Sequence, residues 1–223
     1  MRRDTLLFDL DGTIVDTDAL HFEAFRRLLA ARGRTLDHAT YAARIMGHPN
    51  AAIAAWLFPD TDDAQRRGFA DAKEALFRSL AVEMAPLPGL GAMLDWADRI
   101  GARRAVVTNA PRLNAEFVLD ALGLKHRFDA LVIGEELARS KPDPLPYASA
   151  LARLGRSPAL AVAFEDSRSG IAAARAAGLF TYGVATGLDA ATLRAAGADA
   201  TIVDFADPAL RDALTTQFGS APA

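Results

Sequence analysis

Two aspartates one residue apart, Asp9 and Asp11, close a short apolar run and lead into Gly12-Thr13. Further along, similar runs end in Thr108-Asn109 and in Glu165-Asp166, and Lys141 stands before Pro142. Each has an ordinary reading when taken singly: Asp11-Gly12 makes a turn and Asp166 caps the helix that starts near Arg168. Their joint placement reads differently. Two carboxylates about 4 Å apart repel by roughly 4 kcal/mol at an effective dielectric of about 20, so a cluster of four requires a cation. Ligands that are all oxygen select a hard ion, and Mg²⁺ is the expected one.

For these groups to meet, each must sit at the same end of its strand. Thr5-Leu6-Leu7-Phe8 is an unbroken apolar run, the pattern of a parallel strand buried on both faces. Ala105–Val107, Ala130–Ile133, Leu160–Phe164 and Phe180–Val184 repeat it, and Thr201–Val203 is a shorter sixth candidate. Helical patterns lie between them at Leu90–Ile100, Leu113–Leu122, Leu145–Leu154, Ile171–Ala177 and Ala190–Ala196, several stopped by a glycine such as Gly101, Gly123 or Gly155. Alternation of this kind specifies an α/β fold with a parallel sheet. In open parallel sheets ligands collect outside the C-terminal strand ends, which is where Asp9, Asp11, Thr108, Asn109, Glu165 and Asp166 fall, with Lys141 on the segment after the third strand.

The interval from 16 to 85 breaks the alternation. It has no strand pattern, and Phe22, Phe25, Leu28 and Leu29 recur at helical spacing. It returns through the Pro/Gly-rich Met84–Gly89. The expected organisation is therefore a core of residues 1–15 and 86–223, with a helical domain of residues 16–85 inserted after the first strand.

The chain has 223 residues, which at roughly 150 per domain gives about 1.5, in keeping with one domain and an insertion. Hydrophobic residues at 51% and charged ones at 24% exclude general disorder. A net charge of -3 with no basic block argues against nucleic acid or an anionic membrane as partner. The absence of cysteine removes a disulfide framework, a thiolate zinc site and a cysteine nucleophile. Arg2-Arg3 suggests a twin-arginine export signal, but the apolar stretch that follows is too short for one, so a cytoplasmic setting is expected, with no membrane partner.

The string Phe8-Asp9-Leu10-Asp11-Gly12-Thr13, then Val107-Thr108-Asn109, Ser140-Lys141-Pro142, and Phe164-Glu165-Asp166-Ser167 with Gly170, resembles the four ordered motifs of the haloacid dehalogenase superfamily. The likeness runs over nearly the whole chain. It implies a Rossmann-like core, and the helical interval is similar to the cap domain of the β-phosphoglucomutase-like branch. It also implies roles: Asp9 as the nucleophile that forms an aspartyl-phosphate and Asp11 as general acid and base. Thr108 and the backbone amides near Asn109 and Ala110 would hold phosphoryl oxygens, and Lys141 would neutralise charge. Asp9, the Asp11 carbonyl, Glu165 and Asp166 would hold Mg²⁺. Asp11 argues against the dehalogenases, which lack that second aspartate, and against the phosphonate hydrolases, which have Ala there and use a cap lysine. Lys73 is the one lysine of the interval, and Asp71-Ala72-Lys73-Glu74 reads as a solvated, charge-paired helix face.

Substrate choice is expected from the cap, through His21, Arg44 and the loop Gly47-His48-Pro49-Asn50. In β-phosphoglucomutases the loop after this glycine presents an arginine to a second phosphate. Asn50 aligns with it here, and a neutral amide does not replace a guanidinium. The resemblance thus implies a Mg²⁺-dependent phosphatase acting on a small phosphorylated metabolite, a sugar or polyol phosphate, as a monomer or weak homodimer. A phosphomutase is the alternative, and a non-catalytic phosphate sensor is a third, which intact Asp9, Asp11 and Lys141 disfavour.

Overall fold

A computed structural model describes residues 3–218, so that of the Arg2-Arg3 pair only Arg3 lies within the described residues. The chain divides into two compact units, one of Met1–Asp16 with Ala85–Ala223 and one of Thr17–Met84.

The first unit is built on a parallel sheet of six strands: β1 (Thr5–Phe8), β2 (Arg103–Thr108), β3 (Ala130–Ile133), β4 (Ala161–Glu165), β5 (Phe180–Val184) and β6 (Ala200–Ile202), in the order β3-β2-β1-β4-β5-β6. The expected strands are present, with small shifts at their ends. Leu160 belongs to a 3-10 turn rather than to β4, and Val203 is exposed beyond β6. β2 extends backwards to Arg103, because pairing with Thr5 and Leu6 takes in Arg103 and Arg104, whose charges are met by Asp129 and Asp98. Around the sheet in this unit lie α5 (Leu90–Arg99), α6 (Arg112–Ala121), α7 (Leu145–Leu154), α8 (Arg168–Ala176), α9 (Ala190–Ala195) and α10 (Pro208–Phe218). The helices between the strands supply the crossovers that parallel strands require.

β1 is central and buried on both faces. Successive side chains of a strand point to opposite faces, so Leu7 and Phe8 serve different layers. Leu7 packs with Ala105, Val107, Ala161, Ala163, Tyr147, Leu151 and Ala173. Phe8 stacks on Phe164 at 5.1 Å between ring centroids and meets Phe205 at 5.9 Å. The same alternation carries Asp9 onto the Leu7 side and Glu165 onto the Ala161 and Ala163 side, which is the side of α7. The register fixes the height: Phe8 lies opposite Phe164, and the Asp9 amide donates to the Phe164 carbonyl at 3.0 Å. The strand order reverses direction between β1 and β4, the place where open α/β sheets leave a crevice at their carboxyl ends.

The second unit contains α1 (Asp18–Ala30), α2 (His38–Arg44), α3 (Asn50–Leu57) and α4 (Asp63–Leu80) and no strand. Asp37 caps α2 by accepting from the Thr40 amide, and Asp62 with Gln65 closes a capping box at the start of α4. The apolar stripe foreseen on α1 is used: Phe25 and Leu29 pack with Tyr41, Ile45, Ile53, Leu57 and Phe69. Within the first unit, the two chain segments that flank this insertion are tied together, Leu87 donating to the Ile14 carbonyl at 2.8 Å and Val15 bridging Pro86.

Candidate active site

Asp9 follows β1, Glu165 ends β4, and both reach the same crevice. Asp9, Glu165 and Asp166 each offer an oxygen within 4.8 Å of the other two. The Asp11 carboxylate is not among these three. Lys141, on the segment between β3 and α7, reaches both Asp9 and Glu165. It is 3% exposed, and its ammonium donates to Asp9 at 2.6 Å, to Glu165 at 2.5 Å and to the Val107 carbonyl at 2.6 Å.

Two glycines make room. Gly12 has φ +76°, and a Cβ there would collide with the Asp166 carboxylate. A Cβ at Gly170, in the first turn of α8, would collide with Glu165. Ser167 starts that helix by accepting from the Gly170 amide at 3.0 Å.

Burial is the main electrostatic influence. It pushes the Asp9 carboxyl up to about 7, opposed by Lys141 and reinforced by Glu165 and Asp11. Asp166 is raised well above its ordinary value, first by burial and then by Asp9 and Glu165. Burial alone would lower Lys141, but the Asp9 and Glu165 charges outweigh it and its value rises. The ammonium is thus firmly charged, and one ammonium faces three carboxylates. A crevice in which Asp9 and Asp166 resist ionisation, and which offers only oxygen, fits a hard divalent cation that would neutralise them.

The remaining expected residues are placed as follows. Thr108 is buried, and its hydroxyl accepts from the Ala110 amide at 3.0 Å, so that amide already has a partner. The Asn109 side chain makes a reciprocal pair with the Lys141 backbone, donating to its carbonyl at 3.2 Å and accepting from its amide at 3.1 Å. Asn109 therefore fixes the lysine segment. In the second unit Arg44 and His48 are exposed, and His48 contacts the Met46 carbonyl at 3.1 Å. His21 stacks on Phe77 at 4.1 Å, and its Nδ1 lies 3.0 Å from the Lys73 ammonium. Asn50 donates to Glu74 at 2.7 Å.

The reading of Lys73 as a solvated face is overturned. Lys73 and Glu74 are 4% and 6% exposed and paired at 2.7 Å, with the ammonium 4.8 Å from the Phe25 ring centroid. α4 turns this face toward α1 and α3 within the unit, and a charged pair there is kept only by mutual neutralisation. Burial would raise Glu74, but Lys73, His21 and the Asn50 amide hold it below its ordinary value.

Sequence reasoning also missed Tyr147. It is wholly buried on α7, and its hydroxyl donates to Glu165 at 2.6 Å. The available signal was a phenol in the apolar stripe of Leu145–Leu154, since a buried tyrosine needs an acceptor.

Residues 3–178 match the family model of the haloacid dehalogenase-like hydrolases. The phosphorylated carbohydrates phosphatase of Thermotoga maritima is 33% identical, with 89% of this chain and 94% of that protein covered. The fructose-1-phosphate phosphatase YqaB of Escherichia coli is 35% identical, with 78% and 92% covered. Among solved structures, a mutant CbbY from Rhodobacter sphaeroides in complex with xylulose-(1,5)bisphosphate superimposes with a TM-score of 0.82 at 31% identity, covering 93% of this chain and 96% of that one.

Proposed function

The chain belongs to the haloacid dehalogenase-like hydrolases, and from that premise we propose that it is a Mg²⁺-dependent phosphatase of small phosphorylated carbohydrates, sugar or polyol phosphates. The observation that carries this reading is the Asp9 carboxylate at the β1–β4 crevice, bonded to Lys141 and grouped with Glu165 and Asp166. Relatives named for phosphorylated carbohydrates and for fructose 1-phosphate support the substrate class.

In the proposed reaction an Asp9 oxygen attacks the phosphorus. The bond from phosphorus to the sugar oxygen breaks as the Asp9–phosphorus bond forms, and Asp11 gives its proton to the departing oxygen. Asp11 then takes a proton from water, whose oxygen attacks the aspartyl-phosphate, releasing inorganic phosphate and restoring Asp9. Lys141 favours the anionic form of Asp9 against the effect of burial and offsets phosphoryl charge, and the Thr108 hydroxyl, already held by the Ala110 amide, is the proposed contact to a phosphoryl oxygen. Asp9, Glu165, Asp166 and the Asp11 carbonyl would hold Mg²⁺, which supplies neutralisation of the developing charge. Discrimination among substrates is assigned to His21, Arg44, His48 and Asn50. The working form is proposed as a cytoplasmic monomer or weak homodimer; among the described residues no helix is long and apolar enough to cross a membrane.

One observation favours hydrolysis over phosphoryl return to a second sugar hydroxyl. The neutral Asn50 amide is engaged by Glu74, and the nearby Lys73 ammonium is itself paired with that carboxylate, so Asn50 supplies no cation to anchor a second phosphate. The test is inorganic phosphate release over a panel of sugar and polyol phosphates with Mg²⁺ and no added bisphosphate, beside an assay for isomerised sugar phosphate. Release that disappears in Asp9→Asn is expected. Isomerisation that outpaces release and needs a sugar bisphosphate would overturn the reading.

A further inference from the structure

Glu165 is the one carboxylate of the group with no exposure, and its environment is unusually complete. Its Oε1 accepts from the Lys141 ammonium at 2.5 Å and from the Tyr147 hydroxyl at 2.6 Å, Ser167 Oγ lies 3.4 Å from Oε2, and Gly170 leaves no space behind it. These partners differ in what they can fix. Lys141 spends its donors on three separate acceptors, and an ammonium is a point charge that sets no plane. The Ser167 contact is long, and that hydroxyl also accepts the Gly170 amide. Tyr147 is different: its ring is packed in the layer formed by Leu7, Val107, Ala150 and Ala163, and its short, direct bond goes to Glu165 alone among the described residues. A phenol on a rigid, packed ring directs its hydrogen bond as a flexible side chain does not.

We propose that Tyr147 is a positioning residue for the metal site, holding the Glu165 carboxylate in the orientation that groups it with Asp9 and Asp166. The inference rests on the reading of that group as a Mg²⁺ site. Carboxylates that ligate a metal are themselves hydrogen-bonded, and losing such an outer partner weakens metal affinity by about 10–100-fold. A role in core filling alone would be met equally well by phenylalanine, which keeps the ring and lacks only the oxygen.

The experiment uses the full chain and Mn²⁺ as probe, with free Mn²⁺ read by electron paramagnetic resonance in the absence of substrate. Wild type, Tyr147→Phe, Asp166→Asn and Glu165→Gln are compared, and thermal melts check that each variant is folded. Tyr147→Phe is expected to stay folded and to weaken Mn²⁺ binding about 10–100-fold, with the Mg²⁺ requirement for phosphate release rising in step and KM at saturating Mg²⁺ little changed. In the Glu165→Gln background, the same change should have no further effect on Mn²⁺ affinity. Unaltered affinity in Tyr147→Phe, or an effect that adds in full to that of Glu165→Gln, overturns the role of Tyr147 while leaving the metal site standing. Wild type that binds no Mn²⁺, or binding that survives in Asp166→Asn, overturns the metal reading and this inference with it.

Discussion

Replacing Lys141 by Met removes one charge from the middle of the crevice and keeps most of the side-chain volume. In metal-free buffer at pH 8 it leaves Asp9 and Glu165 with oxygens within 4.8 Å of each other and no cation between them. At that distance two unit charges repel by about 3.5 kcal/mol for an effective dielectric of about 20. The figure agrees with the roughly 3–5 kcal/mol lost when one partner of a buried ion pair is removed. For a chain of this size about 1 kcal/mol moves the melting temperature by about 2–4 °C, so Lys141→Met should melt about 7–14 °C below wild type in EDTA. Anything that neutralises a carboxylate must relieve the loss. Burial already raises Asp9, and removing Lys141 takes away the charge that opposes that rise, so the folded variant holds more protons than the unfolded chain and loses stability as pH rises. The deficit should therefore shrink at pH 6, and Mg²⁺ should raise the variant's melting temperature more than that of wild type. Paired thermal melts at pH 6 and pH 8, in EDTA and in Mg²⁺, measure all of this. A deficit below about 2 °C in EDTA at pH 8 would refute the electrostatic account, since the buried carboxylates would then not need the lysine.

Asp11→Asn should lower kcat by about 10²- to 10⁴-fold with little change in KM, and steady-state kinetics with an unchanged kcat would remove Asp11 from acid–base duty. Lys73→Met should cost about 3–5 kcal/mol in urea melts, because it removes the ion-pair partner of the buried Glu74 carboxylate; a change within about 0.5 kcal/mol would be the signature of a solvated lysine. Burial raises Asp9 to about 7 and also raises Asp166, so between the ordinary carboxylate range and about 7 the metal-free fold binds more protons than the unfolded chain. Its stability from these groups is greatest at low pH and is lost as pH rises through that window. Mg²⁺ binds the deprotonated carboxylates, so the rise in melting temperature on adding it should grow from pH 6 to pH 8, and calorimetry showing an equal rise at both would contradict it.

The sheet and the groups at its edge were legible in the sequence because they follow from local, periodic information. Buried parallel strands are written as unbroken apolar runs, and a charged residue after such a run can only stand at the strand's carboxyl end, so Thr5–Phe8 already placed Asp9 and the run ending at Phe164 already placed Glu165 and Asp166. What meets across elements was not written locally. Which way α4 turns Lys73 depends on α1 and α3 packing on it, and a charged pair that reads as solvent-facing is buried once those helices supply Phe25, His21 and Asn50 around it. Asn109 clamps Lys141 across 32 positions of sequence, and Tyr147 reaches Glu165 across 18, only because α7 lies on the face to which alternation along β4 directs Glu165. Residue order along the chain determined which chemistry arrives at the edge of the sheet; helix rotation and the choice of sheet face, settled by tertiary packing, determined what holds it there.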